Sequence, residues 1–305
     1  MKESPYFERA RLMLRVLPAV AEERCFALKG GTAINFFLRD MPRLSVDIDL
    51  AYLPLEPRDV SLNNISEALR RIGVAIKKSM SDVRVQEAFA SGSRRVKRLF
   101  VSDRESTIGI EPNEVIRGTV HPCMASNLSK KAERLFELSA SINRLSLADL
   151  FGGKLCAALD RQHPRDLFDV KVLLEKEGIT DEIRRAFVVY LACHDRPIHE
   201  VIEPTRKDIK QHFENQFLGM ATEPVELDEL ISARESLVAI LKKDLTLPER
   251  QFLVSVKEGT PQWDLLGLPG IENLPALQWK VMNVQKMDPK KHKDYLKKLK
   301  AKLDL

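Results

Sequence analysis

The chain has 305 residues, 44% hydrophobic and 30% charged, with a formal net charge of +5. That is the balance of an ordinary soluble globular protein with apolar material for two cores, and the modest positive charge permits a polyanionic partner without requiring one. Four scattered cysteines (Cys25, Cys123, Cys156, Cys193) exclude a disulfide framework or cysteine metal site, and no apolar leader or membrane-length run is present, so a cytoplasmic protein with no membrane partner is expected.

In chain order, an amphipathic helix is predicted from Pro5 to Leu17, ended or kinked by Pro18. Cys25–Lys29 reads as a short strand running into Gly30-Gly31-Thr32, and Ala33–Leu38 as the helix after that turn. Ser45–Tyr52 reads as a strand and about Arg58–Ile72 as a helix, followed by β-type runs at Val74–Lys78, Val83–Ala90, Val96–Val101 and Thr107–Ile110. Ser91-Gly92-Ser93 marks a hairpin tip, and Pro112 is expected to stop the last strand just after Glu111. This order fits a mixed sheet with helices packed on it.

Near residue 140 the pattern turns helical. Helices are predicted at Leu147–Leu159, with Asn143 and Ser146 as candidate caps, and at Arg165–Lys176, opened by Pro164 and ended by Gly178. Others follow at 181–193, 206–218, 226–243 and 248–256, then a Gly/Pro/Leu-rich loop at 259–275 and a basic helical tail interrupted at Pro289. The fold class is therefore α+β, with a mixed-sheet domain over residues 1–140 and an α-helical domain over 141–305.

The chemistry concentrates in GGTAINFFLRDMPRLSVDIDL, residues 30–50. In a strand Asp47 and Asp49 share a face while Val46, Ile48 and Leu50 take the other. Two adjacent carboxylates repel, and a hard divalent cation such as Mg²⁺ or Mn²⁺ is the usual remedy. Glu111, ending a neighbouring β run, is the expected third metal ligand. Gly30, Gly31 and Thr32 at a helix start offer backbone N–H groups to phosphate, as in a nucleoside triphosphate. Lys154 stands on an otherwise apolar helix and needs a counter-charge, which Asp166 and Asp169 can give. Two readings stay open there: a helix–helix salt network including Arg165, or a lysine that offsets triphosphate charge with Asp166 positioning it.

The 30–50 segment, then IEPN, then LADLFGGKLCAALDRQHPRDLFDV, resembles the AbiEii/MenT nucleotidyltransferase toxins of type IV toxin–antitoxin and phage-defence modules, over about residues 26–175. The resemblance implies a polymerase-β-like nucleotidyltransferase domain followed by a helical domain that contributes Lys and Asp motifs to the site. It implies transfer of a nucleotide from an NTP to the 3′ end of tRNA, blocking translation, and a cognate antitoxin encoded nearby. On this chain it makes Asp47, Asp49, Lys154 and Asp166 catalytic. Gly30, Gly31, Thr32, Ser45, Lys154 and Asp169 would be nucleotide-binding, with Ser45 at the family's serine position and Asp166 and Asp169 in its RDxxD motif. Gly-Gly-Thr stands where the wider superfamily has Gly-Ser, with Thr32 offering the hydroxyl one place later.

For RNA, Arg94, Arg95, Lys97 and Arg98 cluster at the predicted hairpin, and eight lysines crowd the tail; such groups attract phosphate without reading sequence. Two alternatives remain at this stage. One is a nucleotidyltransferase that modifies a protein or small molecule; the other is a toxin that binds RNA or nucleotide without turnover.

Overall fold

A computed structural model describes residues 3–305. The chain forms two compact units, one of residues up to Ser146 with Leu218–Pro224, the other of Leu147–Phe217 with Val225–Leu305.

The first unit contains α1 (Phe7–Ala21), β1 (Phe26–Lys29), α2 (Gly30–Thr32, running on as a π-helical segment Ala33–Leu38), β2 (Ile48–Tyr52) and α3 (Arg58–Ser79). β3 (Arg84–Phe89), β4 (Val96–Ser102), β5 (Thr107–Asn113), β6 (Met124–Asn127), α4 (Lys130–Phe136) and β7 (Ser141–Arg144) complete it. The strands make one mixed seven-stranded sheet in the order β3-β4-β5-β2-β1-β7-β6. β2 is antiparallel to β1 and parallel to β5. Leu28, Ile48, Leu50, Leu99, Val101 and Ile110 are fully buried, each such side chain contributing roughly 1.5–3 kcal/mol of burial free energy.

Several elements depart from the sequence expectation. α1 continues through Pro18 to Ala21, because Ala19 and Val20 on its last turn are buried. Val74–Lys78 is not a strand but the end of α3: Leu62, Ile65, Leu69, Ile72 and Ile76 form one buried helical stripe, while the β-branched Val74 points outward at 66% exposure. β5 does not stop at Glu111, since Pro112 and Asn113 pair with β2. Pairing with β4 has already ended at Ile110, so the missing proline N–H interrupts no bond on that side. β6, α4 and β7 were not expected, and because β7 joins the sheet the first unit extends past residue 140 to Ser146. Leu218–Pro224, expected to lie in the helical half, also belongs to the first unit. Leu44 N–H donates to the Met220 carbonyl and Thr222 N–H to the Pro42 carbonyl, both at 2.8 Å, which pins the loop leading to Asp47.

The second unit is helical: α5 (Leu147–Arg161), α6 (Pro164–Lys176), α7 (Asp181–Cys193), α8 (Ile198–Val201), α9 (Lys210–Gln216), α10 (Leu227–Asp244), α11 (Leu247–Glu258), α12 (Pro275–Gln285) and α13 (Pro289–Lys302). Local signals explain most ends. Thr180 and Thr246 cap α7 and α11 through their hydroxyls, Pro164 and Pro289 sit at helix starts, and Gly178, at φ +70°, follows the end of α6. The expected 259–275 loop contains two short 3₁₀ turns, Trp263–Leu266 and Ile271–Asn273.

α5 and α7 approach closely at Gly152, where an added Cβ would lie 2.8 Å from the Phe187 nitrogen and 2.9 Å from the Ala186 carbonyl carbon. Backbone cannot yield as a side chain can, so Gly152→Ala should destabilise by about 2–3 kcal/mol. At neighbouring Gly153 a Cβ meets nothing within 4 Å, and Gly153→Ala should stabilise the helix by up to about 1 kcal/mol. Paired urea denaturation curves check both; equal effects would contradict the packing.

Candidate active site

The glycine turn is shaped around the acidic strand. Gly30 follows β1 with φ +71°, and a Cβ there would come within 2.5 Å of Asp49 Oδ2. A Cβ on Gly31 would lie 2.7 Å from a guanidinium nitrogen of Arg43 and 3.0 Å from Ser45 Oγ. Thr32 is buried; its Oγ1 donates to the Asp47 carbonyl at 2.6 Å and lies 3.0 Å from Ser45 Oγ. The Thr32 hydroxyl thus ties the turn to the aspartate loop rather than facing outward, and Ser45 is buried beside it. Gly30→Ala would pay a left-handed backbone cost of roughly 1–2 kcal/mol and push the Asp49 carboxylate aside. A clear fall in the transfer activity that the resemblance implies, with only a modest loss of melting temperature, is expected, and unchanged activity would contradict a role for this geometry.

Burial alternates through Val46, Asp47, Ile48, Asp49 and Leu50 as expected, although the strand itself begins only at Ile48 and Asp47 precedes it. Asp49 stands in register with Lys29 of β1 on one side and Glu111 of β5 on the other. Lys29, Asp49 and Glu111, with Lys97, Asn113 and Glu114, line one open cleft of about 330 Å³.

Asp47 is held differently. Its Oδ1 lies 3.9 Å from an Arg9 guanidinium nitrogen, a half-exposed pair of small energetic weight. Arg98 lies across Gly109, which has no side chain to obstruct it, stacks 4.7 Å from the Phe100 ring centroid and reaches Glu111 at 3.1 Å. Protein cations therefore answer part of the carboxylate repulsion, and among the described residues no three acidic, His or Cys side chains are gathered as a ready metal site. The donor chemistry nonetheless suits the metal. Asp49 and Glu111 offer hard carboxylate oxygens from adjacent strands into one cleft, the ligand type that Mg²⁺ and Mn²⁺ take.

Of the residues read as RNA-binding, Arg94 is exposed at the hairpin tip, Arg95 is half-buried and Lys97 lines the acidic cleft. Arg98 is paired with Glu111, so it belongs with the acidic residues rather than with a free basic patch. Sequence reasoning missed Arg9, Lys29 and Arg98 as neighbours of the acids. Register identifies Lys29, two strands from Glu111, whereas Arg9 arrives from a helix with no local signal.

In the second unit, Lys154 Nζ lies 2.8 Å from Asp166 and 2.9 Å from Asp169, all three side chains at most 6% exposed. Arg161, mostly exposed, reaches Asp166 from outside at 2.8 Å. The α5–α6 salt network exists, with Arg161 as an outer member. Nearby, Tyr190 donates to buried Asp149 at 2.7 Å, and burial followed by that carboxylate's charge raises the tyrosine pKa well above its usual value.

No curated protein matches the chain in sequence. Among solved structures, MenT4, a nucleotidyltransferase toxin from Mycobacterium tuberculosis H37Rv, superposes with a TM-score of 0.62 at 14% identity, over 91% of this chain and 92% of that one. At that identity the likeness establishes the fold, a nucleotidyltransferase-toxin architecture of mixed sheet and helices. The profile of the family described as "Nucleotidyl transferase AbiEii toxin, Type IV TA system" matches residues 11–281. The chain belongs to the AbiEii nucleotidyltransferase toxin family of type IV toxin–antitoxin systems.

Proposed function

We propose that this toxin transfers a nucleoside monophosphate from an NTP to the 3′-hydroxyl of tRNA, releasing pyrophosphate and blocking translation, and that transfer depends on a divalent metal. The observation that carries the reading is the register of Asp49 and Glu111 on parallel strands at one cleft, next to a glycine turn shaped to that carboxylate. A bond forms between the 3′-oxygen and the α-phosphorus, the bond to the bridging oxygen breaks, and the hydroxyl proton is released. Asp47, Asp49 and Glu111 would hold Mg²⁺ or Mn²⁺. Such a metal lowers the pKa of an attacking hydroxyl and stabilises a leaving phosphate oxygen.

This chain's own groups do the positioning. The Gly30–Thr32 turn directs backbone N–H groups toward the triphosphate, and Thr32 and Ser45 keep Asp47 in place through the bonds described above. Lys97 places positive charge on the cleft wall, where it can meet a phosphate as a point charge. Lys154, Asp166 and Asp169 enter by their match to the family motif, as positioning residues. Membership of a type IV toxin–antitoxin family also implies an antitoxin partner. No helix among the described residues is long and apolar enough to cross a membrane.

The test is incubation with each α-labelled NTP and total cellular RNA, followed by separation of RNA, protein and small molecules. Label at tRNA 3′ ends with stoichiometric pyrophosphate is expected. Label in the protein or small-molecule fraction would replace the acceptor, and no pyrophosphate with any NTP would leave a binding toxin.

A further inference from the structure

α11 and α13 carry a charge arrangement that the proposed chemistry does not use. Lys257 on α11 is buried at 7% exposure. Its ammonium lies 3.4 Å from Met287 Sδ and 5.0 Å from the Tyr295 ring centroid. Among the described residues no carboxylate stands within ion-pair distance of it. Two further ammonium groups face the same ring, Lys291 at 5.4 Å and Lys298 at 5.8 Å. Of these three, among the described residues, Lys298 alone pairs with an acid, Asp294 at 2.7 Å. Burial, then the like charges of Lys280 and Lys291, push the Lys257 pKa down to about 8.

Cation–π contacts to one tyrosine offset part of this repulsion, but an anion would offset more. The same face indicates what kind. Lys291 and Lys298 lie at i and i+7 on α13, both exposed and both at the Tyr295 ring. They stand about 10 Å apart along the helix at 1.5 Å per residue. Two exposed ammonium groups at that spacing, beside a third that is buried, complement successive phosphodiesters better than one small anion.

We propose that the α11–α13 face, centred on Lys257, Lys291 and Tyr295, binds the phosphate backbone of the acceptor RNA. This rests on RNA being the acceptor. The contact supplies affinity and orientation and carries no base specificity.

RNA binding to the full chain is measured across a salt series, using unlabelled tRNA and no NTP. Lys291→Gln/Lys298→Gln should weaken binding several-fold and lower the salt slope by about 1.4–1.8, the loss of two phosphate contacts. Lys77→Gln/Lys78→Gln, the same charge change on exposed α3 positions, should leave the slope near wild type. Lys257→Met should raise the melting temperature, by removing an uncompensated buried charge, while weakening RNA binding. A merely structural lysine would not move those two readouts in opposite directions.

Equal effects from the two double variants, or an unchanged slope in the first, would overturn the proposal, as would tight binding of an acidic protein but not RNA at this face. Label transfer to RNA by the same variants at saturating RNA is scored separately. Unchanged binding with intact transfer rejects this surface and keeps the enzyme reading, whereas RNA binding without any transfer does the reverse.

Discussion

Asp49→Asn should reduce nucleotidyl transfer by about a thousandfold or more, equivalent to roughly 4 kcal/mol of lost transition-state stabilisation, while the protein remains folded. Asp49 and Glu111 stand opposite each other on adjacent strands, and like charges in that relation are unfavourable. Neutralising one should leave the melting temperature unchanged or slightly raised. Asp47→Asn should also lose activity. It lacks a cross-strand acidic neighbour, so its neutralisation should bring no gain in melting temperature. Single-turnover transfer measured beside thermal unfolding separates the cases. An Asp49→Asn protein that is inactive because it is unfolded would contradict the account.

The largest stability effect should come from Lys154→Met. Removing the ammonium leaves Asp166 and Asp169 buried beside each other without the cation that bridges them. Breaking a buried ion pair in this way costs about 3–5 kcal/mol. Replacing all three residues by apolar ones of similar size, Lys154→Met with Asp166→Leu and Asp169→Leu, should recover most of that loss, because neither desolvated charge nor unmatched partner remains. The triple variant also separates the two readings of the motif. If it folds and transfers nucleotides normally, the network is structural; if it folds and is inactive, these residues act on the reaction.

The parts of the fold legible in the sequence were those with a periodic or turn signature. Val46–Leu50 alternates in a chain of apolar and acidic residues, and its burial alternates likewise. Ser91-Gly92-Ser93 does close the β3–β4 hairpin, with Gly92 at φ +64°. Other elements carried no such signal. β6 and β7 are four residues each and largely polar, and their place in the sheet comes from backbone pairing. Leu218–Pro224 joins the first unit largely through main-chain hydrogen bonds to residues 42–44, which side-chain pattern does not encode. Val74–Lys78 looks β-like in residue type, but the buried spacing of α3 continues from Ile72 to Ile76 and leaves Val74 on the outer face.

The candidate site was legible in a similar, uneven way. The acids and the glycine turn could be named because their chemistry is written in residue type. That Glu111 answers to Arg98, or Asp47 to Arg9, could not, since those partners lie 13 and 38 positions away along the chain and meet only after the sheet is built. Lys154 with Asp166 and Asp169 was accessible because helical spacing places both acids on one face, whereas Arg161, which reaches Asp166 from the end of α5, had no such signal.

The most direct measurement is the anomalous scattering of Mn²⁺ in crystals grown with a non-hydrolysable NTP. The account predicts manganese within about 2.1–2.3 Å of carboxylate oxygens from Asp49 and Glu111, with Asp47 drawn from Arg9 toward the same ion and the triphosphate against the Gly30–Thr32 turn. Nucleotide and metal bound elsewhere, with Glu111 still on Arg98 and Asp47 still on Arg9, would contradict it.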